Sequence, residues 1–328
     1  MSPTHPWLTP LVPLYRLGLL AREAMSRTGL EPVRRLQGPV VSLGNLSTGG
    51  TGKTPLTIAL ARALTRRGVH VDVLSRGYGR RSTLPLRVDP GGTAEEFGDE
   101  PILIAREAGV PVYVAAQRYQ AGLLAERDVP ASSGVHLLDD GFQHRQLHRD
   151  ANILLLNAND LQDKLLPAGN LREPLSAMRR ADILAIPAKE ASNLEPALRQ
   201  QGWQGPIWRV RRTMNVPQID GPAVAFCGIA KPEQFFEGLS GAGLQLASCI
   251  VFPDHHHYTD RDLDRLVTAA RTASAAAFVT TEKDQARLEA LSARLAECCP
   301  VRTARLEIAI EEEDAAIDSL MSRLSAAG

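Results

Sequence analysis

Little in this chain of 328 residues points to a membrane span, a disulfide framework or a nucleic-acid surface. No run of about 18 uncharged apolar residues occurs, which argues against a transmembrane helix. The start has no basic segment before its first apolar run, and Pro10 and Pro13 interrupt that run, so no secretory signal is read there. The four cysteines, Cys227, Cys249, Cys298 and Cys299, form neither a C-x-x-C pair nor a zinc spacing. A reducing compartment is the simplest reading. Basic and acidic side chains number 37 each, so the basic excess of a dedicated nucleic-acid binder is missing and no nucleic-acid partner is expected. Aromatics are only 5%, which predicts an aliphatic core. Nothing in the sequence requires an obligate protein partner, and there is no internal repeat.

What is present is an ordinary globular composition, 44% hydrophobic and 23% charged, at a length that suits about two domains. Pro39–Leu43 reads as a short buried strand. It runs into Gly44-Asn45-Leu46-Ser47-Thr48-Gly49-Gly50-Thr51-Gly52-Lys53-Thr54-Pro55, and a helical pattern follows through Leu56, Ile58, Ala61 and Leu64. Strand, Gly-rich loop, Gly-Lys-Thr and helix are the layout of a P-loop. Glycines let backbone N–H groups approach phosphate oxygens, and the helix N-terminus adds positive partial charge. The expected nucleotide-binding residues are Gly49, Gly50, Thr51, Gly52, Lys53 and Thr54. Lys53 would reach the outer phosphates of ATP, and the Thr54 hydroxyl would ligate Mg²⁺. The first glycine of the usual pattern is replaced by Ser47.

A P-loop domain also needs an acidic residue at the end of another strand for the metal. Val135–Leu138 is an apolar run that ends in Asp139 and Asp140. Asp139 is the better metal candidate; Asp140 either assists or faces the acceptor. Further strands are expected at 69–75, 110–114, 153–156 and 183–186, the second near a sheet edge because of Pro111. This alternation with helices predicts an α/β fold with a P-loop NTPase-type parallel sheet flanked by helices. Active residues should then lie at the carboxyl ends of the strands.

After the basic stretch Arg209–Met214, Gly221-Pro222 marks a break. Strands at 223–227, 247–251 and 277–281, a helix at 262–273 and a helical tail at 314–324 predict a second, smaller α/β domain. The expected division is 1–36, an N-terminal amphipathic helical segment; 37–220, the P-loop domain; and 221–328, the C-terminal domain.

In the N-terminal segment Leu14, Leu17, Ala21 and Ala24 share one helical face, with Trp7 and Tyr15 nearby. Residues 1–36 hold five basic side chains against two acidic ones, whereas residues 282–328 hold six against ten. The pattern suits an interfacial membrane helix or an ordinary helix packed on the core.

A P-loop by itself does not separate kinases from ATPases and GTPases. The N-K-x-D base-reading motif of many GTPases is missing. For an acceptor site, Asp99 in Gly98-Asp99-Glu100-Pro101 is either a helix cap or a carboxylate facing the acceptor. Of His255, His256 and His257, consecutive residues that cannot all bind one metal, a single histidine paired with a carboxylate is the more plausible use. Arg172, in the loop Leu166–Pro174, either clamps an anionic substrate or pairs with Glu173.

Taken together, these stretches resemble the tetraacyldisaccharide 4′-kinase family. The resemblance rests on the Gly44–Pro55 loop, Ser75-Arg76-Gly77-Tyr78-Gly79, Gly98–Pro101, Asp139–His144, Gly169–Pro174, Phe252–His256 and Thr280–Asp284, in that order. It implies transfer of the ATP γ-phosphate to the 4′-hydroxyl of tetraacyldisaccharide 1-phosphate, giving lipid IVA, at the cytoplasmic face of the bacterial inner membrane. It implies ATP and Mg²⁺ as cofactors, Asp99 as the candidate base and His255 as its partner. It favours the membrane reading of the N-terminal helix. Tyr78, Gln143 and Arg172 become candidates for contact with the lipid substrate. The competing reading is a P-loop ATPase or GTPase switch with no lipid acceptor.

Overall fold

The computed structural model describes residues 5–28, 32–49, 52–128, 134–288 and 291–327. The first half contains α1 (Val12–Arg27), β1 (Val40–Asn45), α2 (Lys53–Arg66), β2 (His70–Ser75), β3 (Leu86–Arg87), α3 (Ala94–Phe97), α4 (Asp99–Ala108), β4 (Val112–Val114), α5 (Arg118–Asp128), β5 (Gly134–Leu138) and β6 (Ala151–Leu155). There follow β7 (Ile183–Pro187), α6 (Ala191–Gln200), β8 (Ile207–Asn215), β9 (Ala223–Cys227), α7 (Pro232–Gly241), β10 (Leu246–Val251), α8 (Asp260–Thr272), β11 (Ala277–Thr281), α9 (Glu282–Leu288), α10 (Leu291–Ala296), β12 (Val301–Ile310) and α11 (Glu313–Ala327).

Among the described residues twelve strands form one sheet, in the order β10-β9-β11-β12-β8-β7-β6-β1-β5-β2-β4-β3. Two pairings are antiparallel, β12 with β8 and β3 with β4; the rest are parallel. Every residue of β1 is buried, as expected for a central parallel strand covered on both faces. Its neighbours are β5, with Val41 opposite Leu137, and β6, with Leu43 opposite Ile153. The chain builds outward from β1 through β2 and β4, returns to β5, then crosses β1 to β6. That reversal is a topological switch point, where parallel sheets bind ligands at their carboxyl ends.

The core is aliphatic, as the composition implied. Leu56, Leu60 and Leu64 recur at every fourth residue along α2 and are fully buried against β1, β2 and β12. Burying one such side chain contributes about 1.5–3 kcal/mol. The last segment returns to this same core: Ile308 and Ile310 of β12 and Ile317, Leu320 and Leu324 of α11 belong to it. The basic stretch 209–214 lies within β8, which pairs with both β7 and β12.

Helix α1 begins with Pro13 in its first turn, where the missing N–H breaks no hydrogen bond. Val12, Tyr15, Leu19 and Glu23 are half-buried toward the body, at helical spacing. The other apolar face is uncovered: Leu14 is 68% exposed, Leu17 63% and Leu20 56%, with Trp7 exposed beside them. No described helix is long and apolar enough to cross a membrane.

Candidate active site

The loop after β1 enters α2 through Gly52, whose φ of 94° lies in the left-handed region. Glycine suits that backbone, and a Cβ there would stand 2.8 Å from the Arg212 guanidinium and push that side-chain end aside. Lys53 is the first residue of α2, and its ammonium donates to Asn45 Oδ1 at 2.9 Å and lies 3.5 Å from Asp140. Thr54 is buried at the head of the helix. Gly50 and Thr51 lie outside the described residues.

The Asp139–Asp140 pair sits where the strand pattern put it, just past the end of β5. Asp139 is buried and accepts from the Thr57 hydroxyl at 3.1 Å. Burial, then the nearby Glu100 and Asp140 carboxylates, raise its pKa. Asp140, held at a φ of 47°, responds in the opposite direction: burial opposes ionisation, but Lys53 and Arg172 outweigh it and lower the pKa. Arg172 donates to Asp140 at 3.0 Å, while Glu173 pairs with Arg145 and Arg180, so the Arg172–Glu173 surface pair is not formed. Backbone bonds fix Arg172 beside the P-loop, from Arg172 N–H to the Leu46 carbonyl and from Thr48 N–H to the Asn170 carbonyl. The Gln143 amide donates to the Asn45 carbonyl at 2.9 Å and its oxygen faces Arg172, so Gln143 spans the two loops.

Asp99 opens α4 but makes no capping hydrogen bond; the N-cap is Gly98. Its carboxylate is buried, 3.4 Å from His255 Nδ1, and also accepts from Arg287. Burial works against ionisation, yet His255, Arg287 and Lys283 together hold the group well below the usual carboxylate range. His255 sits at a φ of 58°, uncommon for a residue with a side chain, and its ring lies 5.3 Å from that of Tyr78. Its pKa is raised, first by the hydrogen bond to Asp99. The three histidines divide as their different directions required. His255 turns to the cleft, His256 stacks on Phe252 and pairs with Asp262, and His257 is exposed.

A cleft of about 1150 Å³ joins these groups: Lys53, Thr54, Asp139, Asp140, Arg172, Tyr78 and His255 all line it. Asp99 is not among the lining residues but lies directly behind His255. The sequence reading did not single out Arg118, Arg212 and Lys231, which bring three more cations to the same cleft. Burial, then Arg212 and Lys53, lower the Lys231 pKa against the pull of Asp160. Glu282 and Lys283, just past the end of β11, line the same cleft. Lys283 pairs with Glu100, and Glu282, at the cleft wall, is pushed up to about 7 by burial and by Glu107. Arg287 was missed as well, although it lies three residues beyond Asp284 on the same helix.

For a metal, the described residues hold no cluster of three or more His, Cys, Asp or Glu. The cleft lining does offer one hydroxyl, Thr54, and two adjacent carboxylates, Asp139 and Asp140. That suits a hard divalent cation completed by phosphate and water, and the raised Asp139 pKa, due to burial and then to nearby carboxylates, is a strain that such a cation relieves. Mg²⁺ therefore fits Thr54 and Asp139, with Asp140 adjacent.

Fold and site define a P-loop phosphotransferase. The family model for tetraacyldisaccharide-1-P 4′-kinase matches residues 4–325. The tetraacyldisaccharide 4′-kinase of Koribacter versatilis is 41% identical, covering 96% of this chain and 98% of that protein. The one from Geobacter sulfurreducens is 39% identical, covering 90% and 86%. Among solved structures, LpxK from Aquifex aeolicus in complex with ATP superposes with a TM-score of 0.75 at 33% identity, over 97% of this chain and 98% of that one. The chain belongs to the tetraacyldisaccharide-1-P 4′-kinase family.

Proposed function

We propose that this protein is an ATP-dependent lipid kinase that transfers the γ-phosphate to the 4′-hydroxyl of tetraacyldisaccharide 1-phosphate, giving lipid IVA in lipid A biosynthesis. Family membership across nearly the whole chain carries this reading. The relatives support it over a P-loop switch without a lipid acceptor.

In the proposed reaction the acceptor oxygen attacks the γ-phosphorus. The new O–P bond forms as the bond to the β–γ bridging oxygen breaks, and ADP leaves with that electron pair. Lys53 and the P-loop amides hold the phosphates, and Thr54 and Asp139 would hold Mg²⁺. The cation, when bound, neutralises charge on the phosphate oxygens. His255, which lines the cleft, meets the acceptor hydroxyl with Asp99 directly behind it, and the hydroxyl proton passes to this pair. So depressed an acid is a weak base at neutral pH, which favours orientation by Asp99 over early proton removal. That is sufficient for phosphoryl transfer, where positioning and charge stabilisation dominate. Tyr78, Gln143 and Arg172 are proposed lipid contacts.

The uncovered leucines of α1 support docking on a membrane surface, proposed to be the cytoplasmic face of the inner membrane, so that acyl chains stay in the bilayer while the headgroup enters the cleft. The test is ATP-dependent phosphorylation of the purified disaccharide 1-phosphate lipid. Wild type should yield the bisphosphate, and Lys53→Ala should lower the rate by about 10²–10³-fold. No product from wild type, where the Aquifex aeolicus relative is active, would overturn the assignment.

A further inference from the structure

Arg287 lies on α9, 188 residues along the chain from Asp99, yet the two side chains are paired and almost wholly buried. The guanidinium is used on both edges. Nη2 donates to Asp99 Oδ2 and lies 3.2 Å from His255 Nδ1. Nη1 donates to the Gly228 carbonyl at 2.7 Å and to Asp284 Oδ1 at 3.1 Å. Asp284 is itself fully enclosed. It accepts from Gly228 N–H at 3.0 Å, from the Tyr258 hydroxyl at 2.9 Å and from the Thr281 hydroxyl at 2.6 Å. With these bonds made, Asp284 is fixed, and through it so is the fork of Arg287.

A plain structural ion pair between α4 and α9 would need only Arg287 and Asp99. Here the same carboxylate has a third partner, His255, which is 38% exposed to the cleft and held in a strained backbone conformation. The chain of contacts runs from a rigid buried anchor, Asp284, through Arg287 and Asp99 to a residue that faces the reaction space.

We propose that Arg287 is a positioning residue of the acceptor site: anchored by Asp284, it sets the orientation of the Asp99 carboxylate beside His255. This rests on the reading of Asp99, behind His255, as the carboxylate of the acceptor site. The groups facing Asp99 are Arg287 and Lys283 from α9, Glu100 from its own helix, and His255, followed by Asp254, from the loop after β10. Lys283 is already engaged by Glu100, so Arg287 is the cation most fully committed to Asp99. Removing it leaves burial, which favours the protonated acid, opposed mainly by His255.

The experiment is steady-state kinetics of Arg287→Gln, Arg287→Lys and Asp99→Asn, with thermal unfolding to confirm folding. In R287Q, kcat is expected to fall about 10- to 100-fold with both KM values within about threefold, the mark of an interaction made in the transition state. R287K keeps the charge but not the fork, so it should recover only part of the lost kcat, again with KM values little changed. A folded R287Q whose kcat stays within about threefold of wild type, or whose loss falls in KM instead, overturns the proposal. Should R287Q not fold, the double variant D99N/R287Q removes the Asp99–Arg287 pair together, leaving Asp284 to its Gly228, Tyr258 and Thr281 donors, and is compared with D99N. Rates equal within about threefold support the proposal, and a further tenfold loss overturns it. A near-normal rate in D99N itself overturns the Asp99 reading, a result distinct from the failure of Arg287.

Discussion

The Tyr15 hydroxyl donates to the Arg172 carbonyl oxygen at 2.9 Å, joining the N-terminal helix to the loop whose guanidinium pairs with Asp140. The helix that presents uncovered leucines is thus one hydrogen bond away from the residue proposed to contact the lipid. Arg22 makes a parallel link to the Gln143 carbonyl at 2.9 Å. Movement of α1 on a membrane surface would reach both substrate-side loops.

Tyr15→Phe removes that bond while leaving the ring in place. One hydrogen bond is worth about 0.5–1.5 kcal/mol, so KM for the lipid should rise about two- to tenfold. KM for ATP should not change. Steady-state kinetics with each substrate varied checks this, and an equal rise in both KM values would detach Tyr15 from the lipid side.

Leu14, Leu17 and Leu20 together form the proposed membrane face. Replacing all three with Ser should weaken sedimentation with anionic vesicles by about tenfold or more, since each leucine transferred from water contributes on the order of a kcal/mol or more. Thermal stability should change little, because the side chains are exposed. Undiminished vesicle binding would remove the helix from the membrane contact.

Gly44 lies in β1, and a Cβ built on it would come within 2.5 Å of Phe142 Cβ and 2.9 Å of the Phe142 backbone nitrogen. The backbone cannot yield as a flexible side chain does. Gly44→Ala should therefore cost about 1–3 kcal/mol, the usual range for overpacking a close-packed core. Urea denaturation measures it, and a midpoint equal to wild type would mean that β1 and the Asp139–His144 loop can separate freely.

His136 is buried with Nδ1 2.8 Å from Asp72 and Nε2 3.6 Å from Glu126. Burial disfavours the charged ring, but the hydrogen bond and charge of Asp72, with Glu126, outweigh it and raise the pKa. A raised folded-state pKa gives stability that is complete below the unfolded value, about 6.5, and lost as pH rises through the folded value. Wild type should therefore lose stability on going from mildly acidic to alkaline pH by an amount absent from His136→Gln. Thermal melts at pH 6 and pH 9 test this, and identical pH dependence in the two proteins would exclude the linkage.

The P-loop was legible because its code is local: strand, glycines, Lys53 and Thr54, and helix lie within one short stretch. Asp139 and Asp140 were legible for the same reason, at the end of an apolar run. Strand β12 was not recognised, although the alternation Leu306-Glu307-Ile308-Ala309-Ile310 carries the period of a half-buried strand. Arg172 was found, but its partner was left open between a surface carboxylate and a substrate. Backbone bonds from Arg172 to Leu46 and from Thr48 to Asn170 decided for Asp140. Arg287 was missed because nothing around it in sequence distinguishes it from any helix-surface arginine; only the contact of α9 with α4 buries it.

By itself the sequence determined the α/β class, the Gly-rich loop between β1 and α2, the carboxylate pair after β5 and the family, because each depends on residue types at short, fixed spacings. Tertiary structure alone decided which charges meet. The pairing of Asp99 with Arg287 and the cations Arg118, Arg212 and Lys231 in the cleft follow from sheet order, and the packing of α1 on the body decided which of its leucines stay uncovered. Sheet order brings distant segments together, and the strength of a charge pair depends on distance and burial, neither of which is written in neighbouring residues.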